Sequence, residues 1–227
     1  MSEPSTTTPA ERPPSAWPKL VLGLVALLVV AGALAVLFGG GSSKTALPGG
    51  AREAGTGSGL YGTLTLPARQ APAIDLHNDR GERVTLAQYR GKVVLLTFLY
   101  AHCPDVCPLI ASNLRVALKL LGTQASKAQL LAVSVDPRGD TVRTVRHFLA
   151  AHELRGRMQY LIGTPSELAR TWKAWSVGSK REVGQPELVA HSALVYGISA
   201  SGKLTDVYPA SFEPSEIAHD VPRLAVR

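Results

Sequence analysis

Two kinds of apolar run organise this chain. The first, Leu20 to Phe38, is nineteen consecutive residues without a charged or polar side chain. That matches the ~20 residues a helix needs to cross the hydrocarbon core of a bilayer. The second kind is shorter. Val93 to Tyr100, Gln129 to Val135 and Met158 to Ile162 are largely apolar on both faces, as strands covered by helices are. Helical spacing of apolar residues falls between and after them, over Leu109 to Leu121, up to Leu149 and Ala150, and from Thr164-Pro165-Ser166-Glu167 through Trp172 to Trp175. Ile74 to Leu76 and Arg83 to Leu86 alternate around Asn78-Asp79-Arg80-Gly81, and Ser192 to Ile198 and Leu204 to Tyr208 bracket Ala200-Ser201-Gly202-Lys203. Both read as hairpins. Asp136 to Thr141 is a turn, with Asp140 expected to cap the helix after it. Pro214-Ser215-Glu216 opens a last helix. Ser176 to Ala190 has little periodicity and contains Gly178, Gly184 and Pro186, so it reads as a loop. The order predicts an α/β fold, a sheet of mixed direction with helices on both faces.

The same pattern divides the chain. Residues 1–19 form a short Pro/Ser/Thr-rich tail and 20–38 a transmembrane anchor. Residues 39–66, rich in Gly, Ser, Thr and Ala, form a flexible linker, and 67–227 a domain long enough for a good core. A cleaved signal peptide is the rival reading of the apolar run, with Ala33-Leu34-Ala35 imitating a cleavage site. The run exceeds the ~7–15 apolar residues typical of such signals, which favours an anchor. Arg12 and Lys19 precede the span and Lys44 and Arg52 follow it, so positive charge gives almost no orientation bias. A short tail before one span, with the bulk after it, places the domain on the extracytoplasmic side of the cell membrane. That compartment oxidises exposed cysteine pairs.

Charge adds little. The chain carries 24 Lys and Arg against 17 Asp and Glu, and residues 67–227 hold 20 and 14 of these. The charges are scattered, with no basic run and no interleaved aromatics, so a solvated surface explains them better than a nucleic-acid partner.

The chemistry gathers at His102-Cys103-Pro104-Asp105-Val106-Cys107-Pro108, between the Val93 strand and the Leu109 helix. Cys103 and Cys107 are the only cysteines. A bridge between residues so close constrains little of the unfolded chain, so the pair binds a metal, exchanges electrons, or both. With Pro104 in a first helical turn, the two sulfurs would share one helical face. Free N–H groups at a helix start favour thiolate, and thiolates suit soft ions such as Cu(I). A third ligand would be an imidazole. Six histidines compete. His191 stands best, after the long loop and before a strand, where strand ends converge. His102 adjoins Cys103 at a strand's end, where its ring can face away, and His77, His147, His152 and His219 read as surface or packing residues. Spacing alone leaves the choice open. Asp105, Asp136 and Asp140 read first as turn or helix-start acids, with tuning of the thiols the alternative for Asp105 and positioning of a partner or the metal's outer shell the alternative for Asp136 and Asp140. Trp172 and Trp175 read as core or interface aromatics.

Phe98-Leu99-Tyr100-Ala101-His102-Cys103-Pro104-Asp105-Val106-Cys107-Pro108 resembles the signature of the SCO/SenC copper-chaperone family. Ser134-Val135-Asp136-Pro137-Arg138-Gly139-Asp140-Thr141 is similar to that family's Asp-Pro-x-x-Asp-Thr turn, and His191-Ser192 before a strand to its third block. The resemblance covers about residues 67–222. It implies a thioredoxin-like fold with copper, Cu(I) or Cu(II), held by Cys103, Cys107 and His191. It also implies delivery of that copper to the cytochrome c oxidase subunit carrying the binuclear copper site, or reduction of that site's cysteines, with another periplasmic copper chaperone as a further partner. Thioredoxin-like oxidoreductases use Cys-x-x-Cys with a cis-proline beside it. Here the spacing is one residue longer and His191 stands about where that proline is expected. A redox-active Cys103–Cys107 pair remains the rival to metal binding, and a peroxidase a weak third.

Overall fold

The structure, a computed structural model, describes residues 59–62, 66–182 and 185–227. The tail and the expected anchor at 20–38 lie outside the described residues. Among the described residues, ten strands and four α-helices follow one another: β1 (Arg69–Gln70), β2 (Asp75–Asn78), β3 (Arg83–Thr85), β4 (Val93–Leu99), α1 (Val106–Leu121), β5 (Ala128–Ser134), α2 (Val142–Ala151), β6 (Met158–Ile162), α3 (Pro165–Ala174), β7 (Ser179–Glu182), β8 (Gln185–His191), β9 (Leu194–Ile198), β10 (Lys203–Pro209) and α4 (Pro214–Leu224). Eight strands make one sheet in the order β1-β10-β9-β4-β5-β6-β2-β3, while β7 and β8 pair separately.

The apolar runs explain the centre. All seven residues of β4 are buried, because β4 pairs parallel with β5 on one side and antiparallel with β9 on the other. β6 continues the parallel set beside β5. The two predicted hairpins are β2–β3 and β9–β10. Within α1 the buried positions are Cys107, Ile110, Ala111, Leu114, Ala117, Leu118 and Leu121, a stripe at helical spacing. This helix packs against α4. The helical stretch Val106–Lys127 is also the one span among the described residues with the length and apolarity to cross a membrane. Its buried stripe makes it a core helix here.

Four sequence expectations change. Residues 176–190 are not a loop throughout, because Ser179 pairs with His191 and Lys180 with Ala190 in the β7–β8 hairpin. The hairpin stands outside the main sheet, so it never needed the alternation that marks a half-buried strand. Asp140 does not cap α2; Thr141 does, accepting from the Thr144 N–H. α1 starts at Val106, so Cys103 and Pro104 precede the helix instead of forming its first turn. Finally, folded structure begins before residue 67. Leu60 is fully buried, the Tyr61 N–H donates to Asp220 Oδ2 at 2.8 Å, and the Gly62 N–H to Asp206 Oδ2 at 3.2 Å.

Candidate metal centre

The parallel order of β4, β5 and β6 brings their C-terminal ends to one edge. There β4 runs into Tyr100 and the cysteine loop, and β5 into the turn at 135–140. In open α/β sheets this edge is where ligands bind. The loop is set by its backbone, with the Cys103 N–H donating to the Tyr100 carbonyl at 3.2 Å. Cys107 lies in the first turn of α1, fully buried, and its N–H donates to Cys103 Sγ at 3.4 Å. Both cysteines are free thiols.

His191 arrives from a distant part of the chain, as the last residue of β8. Its Nε2 stands 3.7 Å from Cys107 Sγ. Its Nδ1 lies 3.3 Å from the Ser192 carbonyl oxygen. A carbonyl only accepts, so that contact places the proton on Nδ1 and leaves the Nε2 lone pair facing the sulfur, the arrangement common among metal-ligating imidazoles. Burial lowers the His191 pKa below its ordinary value, which keeps the ring neutral near pH 7. The hairpin itself is tied down by the Ser179 hydroxyl, which donates to the Val135 carbonyl at 2.8 Å. The Tyr100 ring packs edge-on against His191 with centroids 5.8 Å apart.

The two thiols differ. The Cys103 pKa is lowered to about 5, first by the hydrogen bond from the Cys107 thiol, then by the N–H groups of Asp105 and Cys107 and the Tyr100 hydroxyl, against the opposing cost of burial. Cys107 is pushed up, by its bond to Cys103 and by burial. Cys103 opens onto a cleft of about 330 Å³ lined by Tyr100, Pro104, Asp105, Val106, Val189, Ala190 and His191. One sulfur is thus thiolate-prone and borders the cleft, though its residue is only 8% exposed, and the other is protonated and fully enclosed. Two soft sulfurs and a neutral imidazole form a donor set suited to Cu(I). Among the described residues, no three His, Cys, Asp or Glu side chains stand close enough together to hold a metal ion as they are placed.

Other sequence candidates go elsewhere. His102 lines a second cleft of about 370 Å³ with Arg143, Thr144 and His147, apart from the cleft that His191 lines. Gly139 passes beneath it, where a Cβ would collide with the Asp136 carboxylate and crowd His102 Nδ1. His77 is in β2, His152 packs tilted against the Phe148 ring and His219 bonds Asp220. Trp172 Nε1 donates to the Ser134 carbonyl at 2.9 Å, and Trp175 packs among Phe98 and Tyr196. Tyr100, the residue after β4, lines the cleft beside both Cys103 and His191.

The family model described as SCO1/SenC matches residues 64–226. The chain belongs to the SCO1/SenC family. Among its relatives, the mitochondrial SCO2 homolog of Bos taurus is 29% identical over 153 residues, which cover 65% of this chain and 57% of that protein. This SCO1/SenC chain therefore spans little more than half the length of that relative. The copper-bound structure of Bradyrhizobium japonicum ScoI is 28% identical, covers 69% of this chain and 99% of its own, and superposes with a TM-score of 0.62. BsSco, described as a Sco-family cytochrome c oxidase assembly protein with a disulfide switch, shares the fold at 23% identity, a TM-score of 0.58, and 72% and 98% coverage. The mixed sheet with flanking helices is that of Sco proteins, which are structurally known with copper bound.

Proposed function

We propose that this protein is a membrane-anchored copper metallochaperone that holds Cu(I) through Cys103, Cys107 and His191 and delivers it to the binuclear copper site of cytochrome c oxidase. The observation that carries the reading is the approach of His191 Nε2 to within 3.7 Å of Cys107 Sγ across 84 positions of sequence. Nothing in a purely structural role asks for a neutral imidazole aimed at a buried sulfur. The copper-bound ScoI relative and the oxidase-assembly role described for BsSco support the cargo and its destination. Residues 20–38 are the proposed anchor, with the domain on the extracytoplasmic side.

The chain's own residues suggest how transfer works. Cys103 is thiolate-prone and faces the cleft, so it is the first sulfur to meet an incoming ion or a partner's thiol. Cys107 gives up its proton as the ion arrives. His191 sits on a two-stranded hairpin outside the main sheet, which makes it the ligand most easily withdrawn when an acceptor's thiolates compete. The test is Cu(I) titration of the reduced domain in competition with a chelator. Wild type should bind one equivalent, and His191→Ala should lose at least tenfold in affinity. Equal affinity in the two proteins would sink the copper reading.

A second reading rests on the asymmetry of the thiols. A lowered, cleft-bordering Cys103 beside a protonated, enclosed Cys107 is also the arrangement of a nucleophilic and a resolving cysteine. Such an oxidoreductase would reduce the cysteines of the oxidase copper site or of other extracytoplasmic proteins. It needs no imidazole, so His191→Ala should leave its disulfide-exchange rate within about twofold.

A further inference from the structure

Asp140 is 6% exposed, and the three hydrogen bonds to its side chain come from the loop after β4, the end of β5 and the middle of β6. Oδ1 accepts from the Ala101 N–H at 2.7 Å, two residues before Cys103. Oδ2 accepts from the Ser134 hydroxyl at 2.6 Å, at the end of β5, and from the Tyr160 hydroxyl at 3.0 Å, within β6. Turn formation does not need this side chain there. The turn closes through the backbone, with the Asp140 N–H on the Asp136 carbonyl at 2.9 Å, and Thr141 supplies the helix cap. Burying a carboxylate is costly, and no cation pairs with it among the described ion pairs. Its three donors are what offset that cost.

The bonds also reach both halves of the site. Ala101 leads into the loop that carries Cys103. Ser134 and Val135 carry the carbonyls on which Trp172 and the base of the His191 hairpin are fastened. We propose that Asp140 is the positioning residue of the site, holding the Cys103 loop at a fixed offset from the hairpin that presents His191. It touches neither ion nor substrate and acts through Ala101 and Ser134. This rests on the copper reading above only for its copper readout.

The geometry makes a specific demand. Asparagine can keep the acceptor for the Ala101 N–H, and the two hydroxyls can turn to accept from its amide. Alanine abandons all three donors. Asp140→Asn should therefore bind Cu(I) within about threefold of wild type, while Asp140→Ala should lose ~10–100-fold, as loss of an outer-shell support does. A copper-free measurement accompanies it. In glutathione buffers, two thiols are oxidised to the Cys103–Cys107 disulfide as oxidised glutathione is reduced to two thiols. The equilibrium constant should shift at least fivefold in Asp140→Ala and less than twofold in Asp140→Asn.

Leu60→Ala, which lowers stability at the segment held by Asp220 and Asp206, is the control and should move neither quantity. If Asp140→Ala does not fold, Ser134→Ala removes one donor and should weaken copper binding severalfold in the same direction. Wild type failing to bind copper overturns the copper reading alone, because the disulfide equilibrium still tests Asp140. Unchanged affinity and disulfide equilibrium in Asp140→Ala, or an Asp140→Asn as impaired as the alanine variant, overturns the positioning role. So does a Leu60→Ala that shifts either quantity as far as Asp140→Ala.

Discussion

Two buried acidic sites in this domain do the same mechanical job with different wiring. Asp140 holds the cysteine loop through the Ala101 N–H. Asp206 and Asp220 hold the incoming strap at residues 59–62 through the N–H groups of Gly62 and Tyr61. Neither segment has a strand ladder of its own, so each borrows a carboxylate as acceptor. The Asp140 side chain takes three donors, with the charge of the buried Asp136 also acting on it. At the strap, two carboxylates stand together, one shared with the Tyr208 hydroxyl at 2.8 Å and His219 at 2.7 Å. A bulge in β10 between Leu204 and Asp206 accompanies this arrangement. The charge of Asp140 raises the Cys107 thiol, whereas Asp220 raises Asp206 at the strap. The difference teaches a separation of roles: damage at Asp140 should reach the thiols, and damage at the strap should cost stability alone.

The strongest way to break that separation is to release the strap. Leu60 is fully buried, and truncating a buried leucine costs roughly 2–5 kcal/mol. A Cβ on Gly62 would overlap the Asp206 carboxylate, and overpacking of this kind costs about 1–3 kcal/mol. Either change can lose no more than the strap contributes, since the segment can simply detach. Leu60→Ala and Gly62→Val should therefore each lose about 3 kcal/mol in urea melts, and the double variant little more than either. Additive losses would show that the strap is not one unit. Cu(I) affinity should stay within twofold in all three, and a tenfold loss would erase the distinction between the two acidic sites.

A subtler effect separates the sites by pH. Burial, then the charge of Asp220, raises the Asp206 pKa to about 6, against hydrogen bonds from Val207 and Gly62 N–H groups and from Tyr208. The ordinary carboxylate value is 3.8, so between that and about 6 the folded state holds the extra proton. Stability from this group is therefore lost as pH rises through that window and is flat above it. Asp206→Asn cannot titrate. Whatever constant penalty the amide brings, the variant should lose less than wild type in melting temperature between pH 4.5 and 7.5, by a few degrees. Parallel curves for the two proteins would remove Asp206 from the account.

Much of this was legible in sequence because burial writes itself into composition. The two-faced runs at 93–100, 129–135 and 158–162 became β4, β5 and β6, and the sole cysteine pair fell where those strands end. The β7–β8 hairpin was not legible. A ribbon outside the main sheet buries too little to enforce alternation, and its Gly and Pro read as loop. Asp140 was visible as a motif residue, but a positioning role ranked behind turn and cap. An aspartate before a helix is a cap by local rule, and only the approach of Ala101 and Tyr160, 39 and 20 positions away, gives it another task. The strap was hidden by its Gly-rich neighbours, although Leu60 and Tyr61 were the exceptions in that composition.

The smallest expected effect is the sharpest test of the Asp140 wiring. Tyr160→Phe removes the longest of its three bonds, at 3.0 Å, and keeps the ring that packs edge-on to Phe148. One hydrogen bond to a charged group contributes about 1.5 kcal/mol at the low end, so the variant should be less stable by about that much at pH 7. Burial raises Asp140 to about 6, with the Ser134, Ala101 and Tyr160 bonds pulling it down. Losing the Tyr160 bond should raise it further, and the stability deficit should shrink at pH 5, where the folded carboxyl is already protonated in both proteins. Cu(I) affinity should change less than threefold, because the Ala101 bond that sets the loop is untouched. A larger loss of copper than of stability would mean that Tyr160, instead of Ala101, transmits the position of Asp140 to the thiols.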